Sequence, residues 1–117
     1  MALRIRTTNP QSLLNKIKAA IDEKHVVTWR YINEGGVIYY THITPDKQWD
    51  GKSWLKPVIE QDQLRFNIIA PRGGQVTKQL YAVYHGRFAE MLLAHFGNSF
   101  SIVWATAVGE ADDILGG

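Results

Sequence analysis

The stretch "HVVTWRYINEGGVIYYTHIT", residues 25–44, constrains this chain more than any other part of it. Two runs rich in β-branched and aromatic residues flank Asn33-Glu34-Gly35-Gly36, and glycine supplies the positive φ that a tight hairpin turn demands. The two-residue loop is Glu34-Gly35 or Gly35-Gly36. In either case partner positions sum to an odd number, so side chains sort onto the same two faces. One face carries Val27, Trp29, Tyr31, Ile38, Tyr40 and His42. The other carries Val26, Thr28, Arg30, Ile32, Val37, Tyr39, Thr41 and Ile43. Neither face is wholly polar, so the pattern specifies a hairpin without specifying which side meets the core.

Two helices and further strands surround that hairpin. "LRIRT" (3–7) alternates apolar and basic residues as a short strand does. In "TNPQSLLNKIKAAIDEKH", Asn9 suits the cap and Pro10 the first helical position, while Leu14, Ile17 and Ile21 recur at helical spacing. Leu64, Phe66 and Ile68 alternate with Arg65 and Asn67 as in a half-buried strand. "QVTKQLYAVYHGRFAEMLLAHFG" (75–97) reads as a second helix stopped by Gly97. "SFSIVWATAV" (99–108) is a last strand, with Phe100, Ile102 and Trp104 on one face. The order is β-α-β-β-β-β-α-β, the fourth strand being the least defined. The expected fold is α+β: a single two-layer domain with a mainly antiparallel sheet of five or six strands and two helices on one face. It occupies residues 1–108, followed by a frayed acidic tail, 109–117.

A chain of 117 residues is long enough for one core and too short for two. It has no cysteine, which leaves no thiolate nucleophile, disulfide or thiolate metal site. No stretch approaches the ~20 apolar residues of a membrane span, and the start lacks a secretory pattern; a cytoplasmic location and no membrane partner are expected. The net charge of +2 hides an asymmetry: Glu110, Asp112 and Asp113 all lie in the last nine residues. Setting those three aside leaves eight acids against thirteen bases, a balance that favours anionic partners.

Gly51-Lys52-Ser53, within "WDGKSWLKP", ends like a phosphate-binding loop. That motif needs a glycine five residues before Gly51, where Asp46 stands, and a helix directly after it, where an aromatic run reaches Pro57. The tryptophans are more informative. If Asp50-Gly51 forms a hairpin turn, Lys47, Trp49, Lys52, Trp54 and Lys56 share one ribbon face. Rings interleaved with ammonium groups suit single-stranded nucleic acid, the rings stacking on bases while the cations meet phosphates.

Three other constellations are candidates. "PRGGQVTK" offers Arg72, Gly73, Gly74 and Lys78 as an anion site before the second helix, unless Thr77 caps it. Trp29, Tyr31, Tyr40, His42 and Trp104 could line a small-molecule pocket. Ala82, Gly86, Ala89 and Leu93 form a stripe that a second copy could approach closely. His85 and His95 stand about 15 Å apart along one helix, too far for one metal, and no metal or cofactor is expected. With no catalytic constellation, the reading is a homodimeric, non-enzymatic binding module. Its aromatic-basic hairpin or sheet surface would take single-stranded nucleic acid or an acidic protein. A small-molecule-binding protein or enzyme, and an assembly subunit without ligand, are the alternatives.

Overall fold

Gly35 and Gly36 both take positive φ, +63° and +85°, so Glu34 pairs with Val37 and the loop is the Gly35-Gly36 one. The computed structural model describes residues 2–107; the acidic tail lies outside the described residues. Around the hairpin formed by β2 (Trp29–Glu34) and β3 (Val37–His42) stand β1 (Ala2–Arg6), β4 (Trp54–Glu60), β5 (Gln63–Ile69) and β6 (Ile102–Ala105). All six make one antiparallel sheet, ordered β2-β3-β4-β5-β1-β6.

Helix α1 (Pro10–Asp22) starts where the sequence places it: the Asn9 side chain accepts from the Ser12 N–H at 3.0 Å, with Pro10 at the first position. Its buried residues are Leu13 and Ile17. Helix α2 (Lys78–Phe96) is capped by Thr77, whose hydroxyl accepts from the Leu80 N–H at 3.1 Å. Among the described residues no helix is long and apolar enough to cross a membrane.

The pairing register settles which sheet face is the core. Trp29, Tyr40, Leu55, Ile68, Phe66, Leu64, Leu3 and Ile5 point to one side, where Leu13 and Ile17 of α1 and Tyr84, Phe88 and Leu92 of α2 meet them. Trp29 packs edge-on against Tyr84 and Phe88, with centroids at 5.5 and 4.8 Å, and Phe66 lies 4.7 Å from Phe88. Interlocked rings of this kind gain quadrupole attraction beyond their buried area.

The hairpin alternation fails at Thr41, which belongs to the face opposite that of Tyr40 yet is fully buried, its hydroxyl 2.7 Å from the Ser53 carbonyl and 3.1 Å from the Tyr84 hydroxyl. It also fails at the hairpin's start. Val26 is buried and Val27 is 66% exposed, the reverse of strand parity. Here the backbone is still leaving α1, with the Val26 N–H donating to the Ala20 carbonyl, and β2 begins only at Trp29. Pro57 sits inside β4, where a missing N–H would ordinarily break a ladder. The one registered β3–β4 pair is Tyr40 with Leu55, two residues earlier, so Pro57 falls where β3 has already ceased to pair.

Candidate functional site: the uncovered sheet face

Because both helices pack on one side, the alternate residues of every strand project from the other, which no described element covers. The register brings Arg4 opposite both Arg65 and Trp104, and Arg6 opposite Ile102. It sets Lys56 opposite Asn67 and Trp54 opposite Ile69, with Arg30, Ile32 and Tyr39 on the same side of the β2–β3 hairpin. The face is therefore basic and aromatic. Among the described residues its two acids are Glu34 and Glu60, and Glu60 is engaged by Arg4 at 3.6 Å and Arg65 at 3.7 Å.

Its two tryptophans each lie beside a guanidinium. The Arg30 guanidinium lies 5.5 Å from the Trp54 ring centroid, and that of Arg6 lies 5.9 Å from Trp104. Both tryptophans are half-buried, with their sheet neighbours holding the indoles in place. Beside Trp54, a groove of about 550 Å³ runs between Tyr39, Ile32 and Glu34 on one side and Ile69 and Arg72 on the other.

The proposed ribbon of Lys47, Trp49, Lys52, Trp54 and Lys56 is brought together only in part. Trp54 and Lys56 stand on β4, on the uncovered face. Trp49 packs against the core cluster, and Lys47 and Lys52 are exposed in the connection between β3 and β4. The Asp50-Gly51 hairpin does not form, because the Asp50 carboxylate turns back to accept from the Thr44 N–H and hydroxyl. The buried Tyr84 hydroxyl then ties the loop down, donating to the Trp49 carbonyl and accepting from the N–H groups of Lys52 and Ser53 at 3.1 and 3.3 Å. Gly51-Lys52-Ser53 runs straight into a strand.

The other candidates divide similarly. Gly73 takes positive φ in a turn closed by the Gly74 N–H on the Pro71 carbonyl, and the Thr77 hydroxyl caps the start of α2 by accepting from the Leu80 N–H. Arg72 and Lys78 are both exposed, and Arg72 faces the groove beside Trp54. Ala82, Gly86 and Leu93 are exposed and Ala89 half-buried, so the small-residue stripe of α2 faces away from the sheet. A Cβ added at Gly86 would meet nothing within 4 Å.

Trp29, Tyr40 and His42 are buried together, but among packed rings, while Trp104 is on the opposite face of the sheet; the five do not line one pocket. Tyr31 instead ties β2 to α1, donating its hydroxyl to Asp22 beneath the Lys18 ammonium. His42 stacks on Trp29 at 4.6 Å and donates from Nδ1 to the Thr28 carbonyl at 2.7 Å, which can only accept. That assignment leaves Nε2 to accept from Arg87 at 3.2 Å, so the ring is neutral. Burial holds its pKa below the ordinary imidazole value, and Arg87 adds to that. A cleft of about 350 Å³ with Arg87, Glu90 and His95 opens beside it, but both His42 nitrogens are already occupied.

Arg4, Arg6, Arg30, Tyr39 and Arg65 are residues of this face that the sequence pattern assigned to no candidate site, and Trp104 is one that it grouped with the pocket residues instead. The alternation in "LRIRT" already separated Arg4 and Arg6 from Leu3 and Ile5; what it could not supply was their neighbours across the sheet. No family model, curated protein or solved structure matches this chain.

Proposed function

We propose that this chain is a non-enzymatic binding module that takes single-stranded nucleic acid on the uncovered face of its sheet. The observation that carries the reading is the repeated pairing on that face, Trp54 with Arg30 and Trp104 with Arg6. A base stacks on an indole whatever its identity, and a neighbouring guanidinium meets the phosphate and stacks in its own right. Strand spacing and rise put the two tryptophans about 20 Å apart, with Lys56, and Arg65 and Arg4 in their contacts with Glu60, along one flank of the line between them. An extended strand laid along that diagonal finds a ring at each end and cations beside its middle. An acidic protein could use the cations, but it would leave two large indoles without a partner of matching shape.

Tryptophan fluorescence during titration with a short single-stranded oligonucleotide tests this directly. Saturable quenching that weakens steeply between low and moderate salt is expected. Trp54→Ala and Trp104→Ala should each weaken binding by roughly 5- to 150-fold, the equivalent of about 1–3 kcal/mol per stacked base. Equal affinity for polyglutamate would favour the acidic-protein reading. No response to either polymer would sink the proposal.

A further inference from the structure

The groove beside Trp54 has a chemistry more specific than the face around it, and the inference drawn from it rests on the nucleic-acid reading above. Tyr39 and Trp54 supply two aromatic walls, Ile32 and Ile69 an apolar lining, and the volume of about 550 Å³ is that of a site for one nucleotide-sized group. Glu34, at the end of β2, and Arg72, just beyond β5, belong to strands separated in the sheet by β3 and β4. They therefore stand on either side of the aromatic pair, an acid on one flank and a base on the other. A uniformly anionic ligand is poorly served by this arrangement, since Glu34 would repel it. A nucleotide is served well, because only its phosphate is anionic and its base edge can donate.

We propose that this groove is a base-selective subsite that prefers guanine, with the base held against Trp54 and Tyr39, its phosphate toward Arg72 and its Watson–Crick edge toward Glu34. A carboxylate only accepts hydrogen bonds. Guanine presents two adjacent donors, N1–H and the N2 amino group, which match the two carboxylate oxygens in the side-by-side manner that makes such pairs strong. Adenine and cytosine each offer one amino donor beside an acceptor. Thymine and uracil offer a single N–H flanked by two carbonyls, which a carboxylate opposes. The order of preference is guanine first, adenine and cytosine next, thymine or uracil last.

The test uses short thymidine oligomers carrying one central guanine, adenine or cytosine, compared with the all-thymidine oligomer, on the full chain and on Glu34→Gln. Glu34 is exposed beside the Gly35-Gly36 turn, so the variant leaves the core untouched. The guanine oligomer should bind at least about 10-fold more tightly than all-thymidine, as hydrogen bonds to a charged group allow. Glu34→Gln should cut that advantage to about 3-fold or less. Equal affinities, or a guanine preference that Glu34→Gln leaves unchanged, would overturn the base-selectivity inference while the stacking surface stood. Failure of every oligomer to bind would overturn both.

Discussion

The two faces of this sheet are built from similar residues and use them in opposite ways. On the covered face Trp29, Tyr40, Phe66, Tyr84 and Phe88 contact one another, ring against ring, and are almost wholly removed from water. On the uncovered face Trp54 and Trp104 each lie under a guanidinium and stay half-exposed. An indole surrounded by rings has spent its faces on packing. An indole beneath a cation that can swing aside has a π-face to offer to something else. Composition cannot distinguish the two uses; the neighbour across the sheet does.

The largest expected effect breaks the comparison if it fails. Phe88 is fully buried against Trp29 and Phe66, so Phe88→Ala should cost about 3–5 kcal/mol of stability through lost burial and the cavity left behind. Trp54→Ala removes an even larger side chain, yet it should cost about 1 kcal/mol or less, as substitutions at the surface do. Urea unfolding of the two variants measures both. Similar losses would mean that Trp54 is a structural residue, and the distinction between the faces would collapse.

How much of this was legible in the chain depended on whether a feature is local. Helix starts are local: Asn9 and Pro10 act as their positions imply, and Thr77 caps α2 so that it begins at Lys78, three residues after the expected start at Gln75. The Gly35-Gly36 turn is local as well, and it determined the face sorting of both its strands. The choice of core face was not local: it required knowing that Trp29 would meet Phe88, 59 positions away in the chain. The same limit separated Trp104 from the pocket group and joined it to Arg6, a partner brought close only by the β1–β6 ladder. The Asp50-Gly51 hairpin went astray for a different reason. Asp50 is favoured in turns because its carboxylate bonds nearby backbone, and here it bonded backward to Thr44 instead of opening a ribbon.

A smaller effect distinguishes the faces by pH. His42 is buried on the covered side, and its folded-state pKa is lowered, mainly by that burial and further by Arg87. The Thr28 carbonyl, Asp50 and Glu90 oppose the shift without reversing it. The unfolded chain therefore binds a proton at pH values where the folded one does not. Stability should be level above the ordinary imidazole pKa, about 6.5, and fall as pH drops from there toward the lowered folded-state value. Chemical unfolding between pH 7.5 and 5.5 should show this decline, and His42→Gln should flatten it. Unchanged slopes in the variant would mean that the titration belongs to another group.

The smallest effect concerns the ring contacts themselves. A double-mutant cycle on Arg30 and Trp54 isolates their coupling, expected at about 0.5–1 kcal/mol for a cation over an indole at an exposed site. The same cycle on Trp29 and Phe88 should give about 0.5–1.5 kcal/mol. The magnitudes overlap, so salt provides the contrast. Counter-ions reach the Arg30 charge, and its coupling should shrink as ionic strength rises, whereas two buried neutral rings have nothing to screen. A salt-independent Arg30–Trp54 coupling would show the guanidinium acting as apolar packing over the indole. The uncovered face would then be a second, thinner core rather than a surface held open for bases and phosphates.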